Sequence, residues 1–301
     1  MHTVPFINHI ISSGNADDMI LVCEAMQEKT LAGIAERIAS SPSVKAVLLA
    51  GPSSSGKTST SRRLCIQLMA CGRHPVALSM DNWYVPRRET PLDADGNPDY
   101  ETVYAVDLNR FNADISDLVS GKEVRLPPYN FVTGEREYHG ERLRLTDDMI
   151  MVIEGIHALN PIVSEHIPSE SKFKIFAAPM SPISLDGERW IPTTVNRLLR
   201  RISRDSQTRG RSPQETIAGW DSVRRGEERW IFPFQEEADE MVNTALLFEL
   251  AALRDQALPL LEEVPESAPE YSEAYRLRKF LTYLKPISTR GLPPTSLLRE
   301  F

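Results

Sequence analysis

Cysteine is scarce in this sequence, which has only Cys23, Cys65 and Cys71 among its 301 residues. An odd number of cysteines without metal-like spacing argues against both a disulfide scaffold and a cysteine-rich metal site. Long apolar runs are missing too, since none approaches the roughly 18 residues that cross a bilayer. The first ten residues lack the features of a secretory signal. These absences predict a reduced, cytoplasmic protein that does not interact with membranes.

An excess of positive charge is also absent, because the formal net charge is −8. A broad nucleic-acid-binding surface is therefore not expected. Basic residues are nevertheless concentrated locally, in the segment 197–211, which is rich in arginine and contains the single acid Asp205. This segment fits a small polyanion as its partner better than a duplex.

Short apolar runs bounded by turn residues recur along the chain, at 44–50, 74–80, 149–159 and 173–179. Such runs are typical of strands buried in a parallel sheet. Segments with helical periodicity lie between and around them, at 16–40, 59–72, 103–121, 193–207 and from about 213. Strands alternating with helices predict an α/β fold with a parallel sheet flanked by helices.

The same pattern suggests a division of the chain into three parts. Residues 1–43 form an N-terminal helical extension, and residues 44–240 form the core, with an arginine-rich helical lid around 194–226. Residues 241–301 form C-terminal helices and a tail packed on the core, because the region 236–284 is mostly helical by period. The aromatic and turn-rich stretch 124–138 predicts a hairpin or a loop that faces a substrate.

The stretch that follows the first predicted strand, Gly51-x-x-x-x-Gly56-Lys57-Thr58, fits the phosphate-binding P-loop pattern. Glycines allow the chain to wrap closely around a phosphate, and the helix that follows directs N–H groups towards the anion. Lys57 can then reach the β- and γ-phosphate oxygens, and the Thr58 hydroxyl can bind Mg²⁺. A strand before the pattern and a helix after it favour this interpretation over a chance match. The fold class is therefore of the P-loop NTPase type.

Two further predicted strands end near acidic residues. Glu154 ends the strand at 149–154, where a second Mg²⁺-orienting carboxylate is expected. Asp81 follows the strand at 74–80, where it could accept a proton from an acceptor hydroxyl or could simply cap a turn. Arg197, Arg201 and Arg204 share one helix face by their spacing. Together with Arg209 and Arg211 beyond them, they resemble a lid over a triphosphate, although a solvated helix face is the alternative.

In their order, these segments resemble the phosphoribulokinase/uridine kinase family of P-loop kinases. The resemblance runs through "GPSSSGKTST", "SMDNWY", "DYETVYAVDLNRF", "LPPYNFVTGER", "VIEGIHAL" and "RRISRDSQTRGR". It extends to "PPTSLLREF" when the comparison is with the bacterial uridine kinase-like, or nucleoside kinase, branch. Many members of that branch also carry an N-terminal portion similar to part of threonyl-tRNA synthetase. This sequence lacks it, so we expect either a short natural form or a kinase domain of a longer protein.

The resemblance implies a site for ATP, Mg²⁺ and a small acceptor. It implies that Asp81 is the base and that Lys57 and Arg204 act on the phosphates. The implied nucleotide-binding residues are Gly51, Ser53, Ser54, Ser55, Gly56, Lys57, Thr58, Ser59, Arg209 and Arg211. The implied metal ligands are Thr58 and Glu154, and the implied acceptor-binding residues are Asp81, Tyr84, Glu101, Tyr129 and Arg201.

Two departures from the family pattern affect the acceptor. Uridine kinases place a histidine where this sequence has Gly134, and a glutamine where it has Gly219. An unread uracil edge would leave polar atoms unpaired, at about 1–3 kcal/mol each. The kinase chemistry is therefore expected to carry over, whereas recognition of uridine itself is not. The expected acceptor is a hydroxyl of a nucleoside (uridine- or cytidine-like) or similar small polyol, with a sugar, a sugar phosphate or a coenzyme precursor as an alternative. A nucleotide-binding regulatory module without turnover is a further alternative, and a homo-oligomer is possible.

Overall fold

A five-stranded parallel sheet forms the centre of the structure. The computed structural model describes residues 2–94, 96–126, 128–181 and 183–301. In spatial order the strands of the sheet are Glu240–Asn243, Lys172–Ala178, Ala46–Ala50, Met149–Glu154 and His74–Ser79. Every neighbouring pair is parallel. The predicted α/β architecture is therefore confirmed.

The central strand Ala46–Ala50 shows why the sheet is covered on both faces. All five of its residues are buried. Because successive side chains of a strand point to opposite faces, Val47 and Leu49 pack in one apolar cluster and Leu48 packs in another. The continuous apolar run that predicted a parallel strand is thus divided between two cores.

The remaining strands are short and lie at the periphery of the sheet. The strand His2–Thr3 pairs in parallel with Ile183–Ser184. Val124–Arg125 pairs with Arg142–Leu143, and Tyr129–Asn130 pairs with Glu135–Arg136, both in antiparallel fashion. The second of these antiparallel pairs is the hairpin predicted within residues 124–138.

Helices pack around the sheet, and several of them also pack on one another. In chain order they are α1 (Val4–Ser12), α2 (Ala16–Ala39), α3 (Lys57–Ala70), α4 (Leu108–Val119), α5 (Pro161–Ser164), α6 (Thr193–Arg204), α7 (Pro213–Ala218), α8 (Trp220–Trp230), α9 (Glu249–Glu262) and α10 (Tyr271–Leu281). A third apolar cluster joins α1, α6, α9 and α10 to residues 292–301. No helix among these described residues is long and apolar enough to cross a membrane.

Two elements differ from the sequence-based expectation. The helix predicted over 103–121 begins only at Leu108, because Asp107 caps it by accepting a hydrogen bond from the backbone N–H of Arg110 at 3.1 Å. The mostly helical region 236–284 contains the strand Glu240–Asn243 at the sheet edge. Only Val242 of that strand is buried, so its sequence carries little of the apolar signal that marks the inner strands.

Candidate active site

The loop between the central strand and α3 has the backbone shape that phosphate binding requires. Gly56 has φ +83° and Ser54 has φ +57°, both in the left-handed region that favours glycine. A Cβ atom on Gly51 would lie 2.0 Å from the carbonyl oxygen of Ala177 in the neighbouring strand, so only glycine fits there. The predicted wrap from strand to helix is present.

Buried side chains from distant parts of the chain hold this loop. Glu227 of α8 accepts a hydrogen bond from the backbone N–H of Ser53 at 3.0 Å and is ion-paired with Arg197 of α6. On the other side of the loop, Thr244 donates its hydroxyl to the carbonyl of Ser55 at 2.6 Å. The loop conformation therefore depends on elements about 150 to 190 residues away in sequence.

Lys57, Asp81 and Glu154 meet at the carboxyl end of the sheet. Lys57 is buried and donates to the carbonyl of Pro52 at 3.0 Å. Burial lowers the pKa of Lys57, and the charges of Glu154 and Asp81 oppose that shift. Burial, followed by the charge of Asp81, raises the pKa of Glu154. One cation thus lies among carboxylates that come from two different strand ends.

Thr58 and Glu154 supply a pair of hard oxygen atoms. The Thr58 hydroxyl donates to Oε1 of Glu154 at 3.3 Å. Mg²⁺ is commonly bound through one or two protein oxygens, with substrate phosphates and water completing its shell. The described residues contain no group of three or more histidine, cysteine, aspartate or glutamate side chains placed to hold a metal.

Three arginines surround one buried carboxylate at the end of α6. Asp205 is fully buried and lies 3.3 Å from Nε of Arg201, 2.8 Å from Nη2 of Arg204 and 3.8 Å from Nε of Arg209. Arg201 also donates to the hydroxyl of Ser53 at 2.6 Å, which brings this cluster against the phosphate loop. Glu101 is a second carboxylate beside these arginines, 3.9 Å from Arg201, and the three guanidinium groups together suit an anionic ligand.

The other arginines of the segment 197–211 have different surroundings. The Arg197–Glu227 pair and the Arg200–Glu249 pair are both almost completely enclosed. Two of the basic residues that suggested a mobile cationic lid thus lie inside the structure. The side chain of Arg211 is exposed, and only its backbone N–H contacts the cluster, through the carbonyl of Asp205 at 3.2 Å.

Among the residues expected to bind the acceptor, Glu101 lies beside the arginine cluster. Glu101 is 8% exposed and lies 3.9 Å from Nη1 of Arg201. Burial raises the pKa of Glu101 to about 7, and the charge of Arg201 opposes the shift. Its Oε2 has no hydrogen-bond partner among the described residues. A buried oxygen of this kind is expected to receive a donor from a ligand.

Aromatic residues form the neighbouring wall. The rings of Tyr84 and Tyr129 meet edge to face with centroids 5.8 Å apart. Phe131, on the same hairpin as Tyr129, lies under the guanidinium of Arg209, 4.7 Å from the ring centroid. This contact joins the arginine cluster to the hairpin. By contrast, Trp83 is a core residue, 2% exposed, and donates its indole N–H to Asp114 at 2.8 Å.

Glycine occupies both positions that depart from the uridine kinase pattern, and the surroundings of the two glycines differ. Arg87 fills the space beside Gly134, where an added Cβ would lie 2.7 Å from the Cβ of Arg87. The Arg87 guanidinium donates to the backbone carbonyls of Phe131 and Val132. Gly219 lies between α7 and α8, and the nearest atom to an added Cβ is a backbone carbonyl oxygen.

Sequence reasoning missed Glu300, which lies in the same site. Its Oε2 accepts from the backbone N–H of Ser59 at 3.0 Å and from the Ser59 hydroxyl at 2.7 Å. Glu227 and Thr244 were missed as well. Local motif spacing could not have found any of the three, because each contacts the phosphate loop or its helix from more than 170 residues away.

Comparison with known proteins agrees with this geometry. The model of the phosphoribulokinase/uridine kinase family matches residues 46–246. A uridine kinase from Deinococcus deserti is 27% identical over 195 residues, covering 64% of this chain and 84% of the relative. A uridine kinase from Staphylococcus aureus strain JH9 is 27% identical over 197 residues, with the same coverage. The solved structure of a proposed fructose transport system kinase from Silicibacter sp. TM1040 shares the fold. Its TM-score is 0.51 at 17% identity, over 70% of this chain and 98% of that one.

Proposed function

The chain belongs to the phosphoribulokinase/uridine kinase family and is a P-loop kinase, and we propose that it transfers the γ-phosphoryl group of ATP to a hydroxyl of a nucleoside or similar small polyol. One observation carries the proposal. Lys57 of the phosphate loop, Asp81 and Glu154 converge at one end of the sheet, against the arginine cluster around Asp205. This is the set of charges that phosphoryl transfer requires.

The phosphate loop and the arginines act on the nucleotide. The loop from Gly51 to Gly56, with Lys57, Thr58 and Ser59, binds the phosphates through backbone N–H groups, hydroxyls and the lysine ammonium. Arg204 and Arg209 stabilise the charge that spreads over the transferring group. Arg211, now exposed, joins them only if the loop around Gly210 moves inward.

Asp81 is the general base in this proposal. It follows the edge strand on a turn of 3-10 helix, and its charge acts on Lys57 and on Arg209. A carboxylate there accepts the proton of the acceptor hydroxyl as that oxygen attacks the γ-phosphorus. Thr58 and Glu154 would hold Mg²⁺, which supplies charge neutralisation on the β- and γ-phosphate oxygens.

The acceptor side favours an uncharged, hydroxyl-bearing molecule. Glu101 offers an unpartnered buried oxygen, and hydroxyl donors of a diol would satisfy it. Tyr84 and Tyr129 supply an aromatic wall beside it. Arg201, the cation nearest to Glu101, already faces both Glu101 and Asp205.

A phosphorylated acceptor is less well supported, because three basic residues that could bind its phosphate have other partners. Arg87 bonds to hairpin carbonyls, and Arg88 is paired with Glu135 at 2.8 Å. Arg224 faces Glu228 at 3.7 Å. The fit to uridine itself is weakened by Gly134, beside which Arg87 fills the space of the missing side chain.

The test is ADP release with Mg²⁺-ATP across nucleosides, nucleotides, neutral sugars, sugar phosphates and pantothenate-like diols, with product masses measured. We expect turnover with a neutral polyol. In Asp81→Asn, kcat should fall by at least about a hundredfold while ADP binding is retained. Asp18→Asn, at an exposed position of α2, is the matched control and should keep full activity. Full turnover in Asp81→Asn would refute the assigned base, and ATP binding without turnover on any acceptor would favour a regulatory module.

A further inference from the structure

Residues 297–301 lie directly on the phosphate loop and on the first turn of α3. A Cβ added to Gly56 would fall 2.5 Å from Cδ1 of Leu297, so the leucine side chain packs on the last glycine of the loop. Three residues further along, Glu300 accepts both hydrogen bonds that Ser59 can donate to it, from the backbone N–H and from the hydroxyl. The segment therefore covers one end of the nucleotide half of the site.

Neighbouring residues anchor the segment on both sides of Glu300. Leu297 and Leu298 are 1% and 6% exposed. Phe301 packs under the guanidinium of Arg200, 5.0 Å from the ring centroid, and its carbonyl accepts from Gln256 at 2.7 Å. Apolar burial thus fixes the path of the backbone and directs the Glu300 carboxylate at Ser59.

The backbone N–H and the hydroxyl of Ser59 are hydrogen-bond donors of the kind that bind nucleotide phosphates. N–H groups and hydroxyls in the first turn after a phosphate loop favour an anion, because the helix dipole adds to their partial charges. A carboxylate satisfies the same donors as a phosphate oxygen does. Burial lowers the pKa of Lys57, and the charges of Glu154, Asp81 and Glu300 act against that shift. The negative charge of Glu300 is therefore felt at the lysine that would bind the triphosphate.

We propose that Glu300 is an internal mimic of a nucleotide phosphate, and that its carboxylate must leave Ser59, with a local shift of the residues around it, before ATP or ADP can bind fully. The inference rests on the proposed use of a nucleotide by this site. The arrangement described here is the closed resting form, in which the segment inhibits binding by occupying Ser59. Binding of a nucleotide releases the carboxylate, and loss of the nucleotide lets it return.

A closed form of this kind lowers the apparent affinity in proportion to the fraction of molecules that are open. Two charge-assisted hydrogen bonds can make the closed form about ten times more populated than the open one. Removing the carboxylate should then tighten ADP binding by about tenfold. Glu300→Gln, which keeps the shape and an acceptor oxygen but loses the charge, should fall between wild type and Glu300→Ala.

The experiment measures ADP affinity by calorimetry for the wild-type chain, Glu300→Ala and Glu300→Gln. Glu262→Ala, which removes an exposed glutamate from the end of α9, is the matched control and should bind as wild type does. Hydrogen–deuterium exchange of residues 292–301 provides a second readout. We expect exchange in that peptide to rise when ADP binds to the wild type. In Glu300→Ala exchange should already be high without nucleotide.

Several results would overturn the proposal. Unchanged or weaker ADP binding in Glu300→Ala, with wild-type binding intact, would show that Glu300 does not compete with the nucleotide. Increased protection of residues 292–301 on ADP binding would show that the segment closes over the nucleotide instead. If no variant binds ADP, both this proposal and the proposed function fail. Tighter binding in Glu300→Ala without phosphoryl transfer to any acceptor would support the phosphate mimic while refuting the kinase assignment.

Discussion

The carboxylate of Glu227 is almost completely enclosed and connects α8 to the phosphate loop. Its side chain is 1% exposed and that of its partner Arg197 is 3% exposed. The same carboxylate accepts from the N–H of Ser53, and Arg197 donates to the Ser53 carbonyl at 3.3 Å. The substitution Glu227→Ala would therefore remove the ion pair and leave both Arg197 and the Ser53 N–H without that partner.

The expected loss of stability follows from the burial of the pair. Removing one member of a buried ion pair costs about 3–5 kcal/mol, because the remaining charge is left in a poorly solvated place. Contacts of Arg197 with the Ser53 carbonyl and with the ring of Trp220, at 5.3 Å, partly compensate. We therefore expect the free energy of unfolding to fall by about 3 kcal/mol, a large share of the roughly 5–15 kcal/mol typical of a native protein.

Urea unfolding of wild type and variant measures this difference. The pair Arg142–Glu123 is the matched control, because its side chains are 52% and 50% exposed. Glu123→Ala should cost no more than about 1 kcal/mol. The double variant Arg197→Met with Glu227→Leu replaces the pair by apolar groups and should recover most of the stability. It should not recover ADP affinity, since the hydrogen bonds to Ser53 are still missing.

A cost for Glu227→Ala no larger than that of Glu123→Ala would refute this reasoning, because it would mean that the pair does not stabilise the folded state. Wild-type ADP affinity in the double variant would refute the prediction that ADP binding needs the hydrogen bonds to Ser53. The phosphate loop would then keep its shape without Glu227, and Ser53 would not depend on α8.

Three further predictions concern single positions. Glu101 has a pKa of about 7 in the folded protein, against an ordinary value of 4.5, so the folded state binds its proton more tightly than the unfolded chain does. The free energy of unfolding should therefore fall by about 3 kcal/mol as the pH rises from about 4.5 to about 7. Urea unfolding across this pH range should show a smaller fall in Glu101→Gln, and an equal fall would contradict the assignment. Gly51→Ala should unfold the loop region and abolish ADP binding, because its Cβ would meet a backbone oxygen at 2.0 Å; retained affinity would contradict that. Phe131→Ala removes a ring that packs edge to face on Tyr129 with centroids 5.3 Å apart, and it should raise the acceptor KM by a few-fold with little change in ADP affinity; an effect on ADP binding alone would contradict the placing of this aromatic wall on the acceptor side.

The fold could be predicted wherever its signal is local. The inner strands are continuous apolar runs because helices cover both faces of the sheet, and the strand Ala46–Ala50 was recognised for this reason. The edge strand Glu240–Asn243 was not, because only one of its residues is buried and its pairing with Lys172–Ala178 is a long-range event. Strand formation there is decided by the neighbouring backbone and not by side-chain pattern.

The candidate site also contains residues that the sequence could predict and residues that it could not. The phosphate loop was predictable, since its glycines, lysine and threonine lie within eight residues and each has a local mechanical reason. Glu227, Thr244 and Glu300 were not, because a single glutamate or threonine carries no signal in sequence until the fold brings it to the loop. The loop residues proposed to bind the phosphates are thus contiguous in sequence, whereas the residues that contact the loop from elsewhere are scattered.

In the arginine-rich segment 197–211, composition alone did not reveal which arginines are held by distant partners. Its composition suggested a lid around 194–226, but Arg197 and Arg200 each form a buried ion pair with α8 or α9. A swing of the whole segment would break both pairs, at about 3–5 kcal/mol each. Motion confined to residues 205–211 would break neither. There the chain forms a π-helical turn, and Gly210 has φ +62°.

We therefore expect nucleotide binding to change hydrogen–deuterium exchange within residues 205–211 and to leave α6 protected. In the proposed function, the exposed Arg211 approaches the phosphates by such a local movement, whereas Arg197 and Arg200 keep their partners. Loss of protection along α6 on ADP binding would show that the whole helix moves. In that case the two buried pairs would have to be much weaker than their burial implies, and the stability cost expected for Glu227→Ala would have to be small as well.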